Sequence, residues 1–291
     1  MKEINLGGNA LKNGVRFESK NGIVVATNEH NKLRVDIDRK DESPSKFLDL
    51  VGKILFVRVF LMSRLTRIVN KKYLSFLILL FVDLAFLTIL FDLSRDATGW
   101  ITKISIINVA FIIVPITVIF IYVIAGKKSS YIKEMFKYHG AEHTAVQSYE
   151  INKKLILEEV DISNTYHPRC GSNYLVLLAV FQFIFLIMLA NWIPVFFGLL
   201  IANALAYESL MLFSKVKVLD KLNFFGRLFQ KHTVLQPEKL HLQTGVAAAL
   251  TIIAIEKGNK TMKSEVYEDF DDFLKKNDNY NGWENTTATE I

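Results

Sequence analysis

Four long apolar runs constrain what this chain can fold into more than any other feature. Tyr73–Phe91 is broken only by Asp83, and Ile104–Gly126 holds no charged residue. Tyr174–Ala190 and Ile193–Phe213 follow, separated by little more than Asn191 and Trp192. A helix needs about 20 apolar residues to span the hydrocarbon core of a bilayer, and the runs meet or approach that length. The pattern predicts four transmembrane helices; the third, the shortest, reads alternatively as a buried core helix. With 51% of its 291 residues hydrophobic and 22% charged, the chain is too apolar for a typical soluble protein and too charged to be all membrane. The expected fold class is therefore a mainly α, polytopic membrane protein with polar extensions.

Charge beside the runs sets the expected orientation. Lys46, Lys53, Arg58, Arg64, Arg67, Lys71 and Lys72 precede the first run, Lys127, Lys128, Lys133 and Lys137 follow the second, and Lys215, Lys217, Lys221, Arg227 and Lys231 follow the fourth. The first connection instead balances Arg95 against Asp92 and Asp96. Cationic loops stay cytoplasmic, so both termini and the central loop are expected there, in a protein of the plasma membrane with the lipid bilayer as its partner. This topology accounts for the net charge of +6, which argues against nucleic acid as a partner. No apolar core stands in the first 45 residues, so the first run is expected to act as the insertion signal. Cys170, the only cysteine, has no intrachain disulfide partner and is a free thiol or a ligand.

The polar extensions carry their own signals. From Val15 to Ile37, β-branched stretches alternate with turn residues, Asn21-Gly22 among them, which predicts a small cytoplasmic β-meander within residues 1–45. Gly7, Gly8 and Gly14 ahead of it point to unusual backbone angles or close packing. Residues 46–72 mix apolar and basic side chains at helical spacing and suit an amphipathic helix on the membrane, or one packed on the bundle. The spans then occupy 73–126 and 174–213, around a loop at 127–173. Residues 214–260 hold another candidate amphipathic helix, entered near Pro237 and left at Gly258. The acidic, Asn-rich segment 261–291 is expected to be partly mobile.

Chemistry concentrates in the central loop. His139-Gly140-Ala141-Glu142-His143 has the form H-x-x-E-H. On a helix, His139 and His143 fall one turn apart on one face, so both imidazoles can converge on an ion, with Glu142 close by as a base. An open position on such an ion activates water. His167 and Cys170 stand just before the third run, so the two clusters enter and leave the same loop at the same membrane face, and either could be a third ligand suiting Zn²⁺. The alternative is that both merely satisfy backbone groups at a Pro168/Gly171 turn. Glu208, inside the fourth run, could reach the metal as ligand or orienter, or pair with a nearby cation. Asp83, near the middle of the first run, has no partner legible in sequence.

The pair of motifs, "FKYHGAEHTAVQSYE" and "YHPRCGSNYL", with the Gly-Gly opening and four runs, resembles the YqhQ-like family of bacterial membrane proteins. The resemblance covers roughly Leu6 to Glu256 and rests on Tyr138 to His143, on His167, Arg169, Cys170 and Gly171, and on Glu208. It implies an integral membrane location and a suspected metal site in predicted metal-dependent enzymes, without an assigned reaction. The chain departs from the family pattern at Asn9, Asn13, Thr144 and Gln236, which makes it a divergent member.

Two functions follow as expectations. One is a metal-dependent hydrolase, with a divalent ion such as Zn²⁺ on His139, His143 and His167 or Cys170, Glu142 as base, and Arg169 as a clamp for an anionic group. A lipid or a membrane-protein segment would be its substrate. The other is an adaptor or regulatory protein with a closed, structural metal site. A transporter, suggested by Asp83 and Glu208, is weaker, since no half-helix repeat is visible. No phosphate-cradling glycine loop is present.

Overall fold

The computed structural model describes residues 6–40, 124, 126, 128–152, 155, 166–188, 195–216 and 221–277. The chain divides into two compact units, one of Met1–Ser43, Tyr122–His167 and Gln230–Ile291, the other of Pro44–Ile121 and Pro168–Phe229.

The first unit is built on an antiparallel sheet. Strands β1 (Gly7–Ala10), β2 (Gly14–Glu18), β3 (Gly22–Glu29) and β4 (Lys32–Arg39) form a meander. At the β3–β4 turn, His30 and Asn31 both adopt positive φ, 53° and 62°, with Glu29 paired to Lys32. Two left-handed central residues give the turn whose twist matches the flanking strands. The sheet order is β1-β2-β3-β4-β5, where β5 (Glu265–Tyr267) returns from the far end of the sequence to pair with β4, Leu33 opposite Tyr267.

Two helices of this unit carry its core. Helix α1 spans Ser130–Asn152, and α5 spans Lys239–Glu256. Sequence reading makes α5 a candidate amphipathic helix, but its residues from Thr244 to Ile255 are all buried. A helix apolar all round belongs inside, and "GVAAALTIIAI" leaves it no polar stripe. Its two threonines are satisfied within the helix, Thr244 Oγ1 donating to the Leu240 carbonyl at 2.8 Å and Thr251 Oγ1 to that of Ala247 at 2.7 Å. Val15, Phe17, Val24, Val35 and Ile252 are fully enclosed with Phe273. That last residue lies on α6 (Phe270–Asn277), in the acidic segment, and its ring meets Tyr267 edge-on at 5.1 Å. Within the acidic segment Tyr267, Phe270 and Phe273 close the core; residues 278–291, the last part for which mobility is expected, lie outside the described residues.

In the second unit, α2 (Gly171–Met188) packs on α3 (Val195–Lys215) through Leu177, Ala206 and Leu210. Tyr174 donates its hydroxyl to Asn203 Oδ1 across this pair. Helix α4 (Phe224–Thr233) follows, its residues from Gln230 on belonging to the first unit. The side chain of Asn173 fills the space over Gly226, where a Cβ would meet its Oδ1 at 2.0 Å.

These helices correct the expected fold class. Among the described residues no helix is long and apolar enough to cross a membrane. Helix α2 has 18 residues, and its first turn is spent on Ser172, Asn173 and Tyr174. At 1.5 Å per residue it measures about 27 Å, of which only part is apolar, against a hydrocarbon core of about 30 Å. Helix α3 carries Asn203, Glu208, Ser209, Ser214 and Lys215 within its 21 residues. The mainly α, four-span architecture and the multi-pass plasma-membrane location are accordingly set aside. The first two runs and the amphipathic segment at 46–72 lie outside the described residues.

Candidate metal centre

Helix α1 presents the H-x-x-E-H stretch inward: Tyr138 and every residue from Gly140 to Val146 are buried, His143 to 2% exposure. Ala141, Glu142 and Ala145 favour the helix, and the four-residue interval sets the two histidines on one face. Their rings meet edge to face with centroids 4.5 Å apart. Gly140 lets the helix approach the segment entering α5, since a Cβ there would stand 2.0 Å from the Leu235 carbonyl oxygen.

His139 Nδ1 lies 3.0 Å from the Thr233 carbonyl oxygen. A carbonyl only accepts, so Nδ1 carries the proton, and in the neutral ring Nε2 keeps its lone pair. That arrangement, one ring nitrogen donating to a carbonyl and the other left for an ion, is usual for metal-binding histidine. Nε2 stands 3.9 Å from Glu142 Oε2.

Glu142 is buried at 8% exposure under the glycine strand. A Cβ on Gly8 would fall 2.7 Å from Glu142 Oε1, so only glycine lets β1 come this close. Burial pushes the Glu142 carboxyl above its ordinary value, outweighing the opposing influence of His139 and His167.

His167 joins the same group in the first unit. Its ring centroid is 5.6 Å from that of His143. Its backbone is clamped by Gln230, whose Oε1 accepts from the His167 N–H at 3.0 Å while its Nε2 donates to the His167 carbonyl at 3.0 Å. Gln147 Nε2 donates to the carbonyl of Tyr166. The ring Nε2 of His167 lies 3.4 Å from Glu150 Oε2. Burial lowers the His167 pKa, against the pull of the Glu142 charge. Glu150, Gln230 and Thr233 escape sequence reading. Only Glu150 left a trace, lying seven residues after His143 and so near the same helical face.

Of the residues singled out by sequence, His139, Glu142, His143 and His167 come together within the first unit. Cys170 is buried near the start of the second, its Sγ 3.0 Å from Ser172 Oγ. His139, His143 and Cys170 form a group that could hold a metal ion. Two imidazoles and a thiol suit zinc by donor type. Arg169 is half-buried in the second unit, as is Glu208 on α3. Asp83 lies outside the described residues.

A separate polar cluster ties α1 to α5. His241 Nε2 donates to Glu134 Oε2 at 2.9 Å, and its Nδ1 accepts the Glu238 N–H at 3.3 Å. Lys137 Nζ bridges Glu134 at 2.9 Å and Glu238 at 2.6 Å. The ring of Tyr138 stands 4.6 Å from His241, and burial pushes its hydroxyl up to about 12.

The profile of a family described as "Protein of unknown function (DUF1385)" matches residues 48–254. The chain is 28% identical over 140 residues to the "Uncharacterized protein YqhQ" of Bacillus subtilis (strain 168), a stretch that is 43% of this chain and 42% of that protein. The likeness thus spans less than half of the relative's length. No solved structure matches.

Proposed function

The chain belongs to the DUF1385 family as a divergent YqhQ-like member, a family that brings no reaction with it, so we propose from the site itself that the protein is a metal-dependent hydrolase. The observation that carries this reading is the His139/His143 pair, His139 partly and His143 fully buried, with buried Glu142 beside it and His139 Nδ1 within hydrogen-bond distance of the Thr233 carbonyl. His139 and His143 would hold the ion, with Cys170 or His167 as a third donor. A zinc ion in that place supplies Lewis acidity and lowers the pKa of a water molecule. Glu142 would serve as the base toward such a water, burial holding its carboxyl above the ordinary value. Arg169 is the proposed clamp for an anionic group.

Elemental analysis of the full-length chain, purified without chelators beside His143→Ala, tests the reading. About one zinc per chain, lost in the variant, is expected; absence of metal from both would sink it. A second reading, a structural metal site in an adaptor or regulatory protein, draws on the burial of Cys170, which would help close the shell. Glu142→Gln separates the two. It should abolish hydrolysis while keeping the metal if the protein is an enzyme, and leave metal content and function unchanged if the site is structural.

A further inference from the structure

Strand β1 is the outer strand of the sheet, and among the described residues nothing pairs with its other side. The β1–β2 hairpin closes with the Leu11 N–H donating to the Gly14 carbonyl at 2.8 Å. In an antiparallel ladder, hydrogen-bonded and non-bonded pairs alternate. Counting along the register from that closure, Asn9–Arg16 and Gly7–Glu18 are bonded pairs, while Ala10–Val15 and Gly8–Phe17 are not. The N–H and C=O groups of Gly8 and Ala10 therefore point away from β2, along the open edge, with the alternation and repeat of an extended peptide.

Proteins normally blunt such an edge with proline, charged side chains or a covering segment. Here β1 reads Gly-Gly-Asn-Ala, without any charge, bulk or proline. The open edge also runs past the chemistry, since Gly8 is the residue pressed against Glu142, where even a methyl group would stand 2.7 Å from Oε1. One glycine thus faces the proposed base and carries backbone groups to the side that, among the described residues, no strand pairs.

We infer that β1 is the substrate-binding edge and that the substrate is an extended segment of another polypeptide, adding to the sheet through the backbone of Gly8 and Ala10. Main-chain bonds give such strand addition its affinity. The reaction is then peptide-bond hydrolysis. Water adds to the peptide carbonyl carbon, Glu142 takes up its proton, the C–N bond breaks, and the proton passes to the leaving amine, giving a carboxylate and an amine. This rests on the hydrolase reading above.

The test uses the zinc-loaded full-length chain and two probes: acetohydroxamate, and a mixture of short peptides ending in a hydroxamate. The peptide probe should bind at least about tenfold tighter, as a few backbone hydrogen bonds allow. Ala10→Pro removes an edge N–H that makes no bond to β2, a place where a strand tolerates proline, and should bring the ratio of the two affinities toward one. Should that variant fail to fold, N-methylation of the peptide amides on the unaltered protein must give the same loss. Equal binding of both probes to a zinc-loaded chain, or a peptide advantage that survives both Ala10→Pro and N-methylation, overturns the edge while leaving the metal reading standing. A chain that takes up no zinc overturns both.

Discussion

His139 Nδ1 and the carbonyl oxygen of Thr233 stand 3.0 Å apart, across 94 residues of sequence, and this bond decides which nitrogen of His139 is offered to an ion. In chelator-treated protein at a pH where the ring is neutral, His139 should be the Nδ1–H tautomer. Long-range ¹⁵N–¹H correlation of the histidine side chains reads this directly, and an Nε2–H tautomer would contradict the ligand assignment.

Glu150 should act through His167. Losing an orienting carboxylate costs a metal site about 10–100-fold in affinity, so Glu150→Ala should weaken zinc binding within that range, measured by competition with a chromophoric chelator. Glu150→Gln, whose amide oxygen still accepts from His167 Nε2, should recover most of the loss. In a His167→Ala background, Glu150→Ala should add nothing; full additivity would show that the two act apart.

Two glycines of the site should resist alanine to different degrees. An added Cβ at Gly140 meets the Leu235 backbone oxygen at 2.0 Å, whereas at Gly8 it meets side-chain atoms of Glu142 and Phe17, each at 2.7 Å. Overpacking costs about 1–3 kcal/mol, and backbone yields less than side-chain ends. Urea unfolding should place Gly140→Ala near the top of that range or beyond and Gly8→Ala lower. A stabilised Gly140→Ala, which helix propensity alone favours by about 1 kcal/mol, would show that the contact is not there.

The burial of Glu142 predicts the sign of a pH effect on stability. The unfolded chain releases this proton near the ordinary value of 4.5, and the folded chain holds it to higher pH. The unfolded state therefore binds fewer protons in that window, and stability falls as pH rises through it. In chelator-treated protein, Glu142→Gln should raise Tm at neutral pH, with the gain shrinking as pH falls toward 4.5. A gain that instead grows toward acid would reverse the assignment.

The sequence by itself determined what spacing determines. Four residues between His139 and His143 make one helical turn, whatever surrounds them, and turn residues between β-branched stretches make hairpins. It also pointed to the family, which the family match over residues 48–254 bears out. What only the tertiary structure decided involves partners far apart in the chain: the Thr233 carbonyl on His139, Gln230 and Glu150 on His167, Gly8 on Glu142, and β5 returning to β4 from the acidic C-terminal segment. Apolar composition misled for the same reason. It measures how strongly a segment avoids water and not where it finds shelter, so "GVAAALTIIAI" went to the centre of a core. The run before Asn191 became α2, packed on α3 through Leu177, Ala206 and Leu210, among the described helices none of which is long and apolar enough to cross a membrane. Local geometry is fixed by bonds between neighbours, whereas burial is fixed by whichever distant surface closes over them.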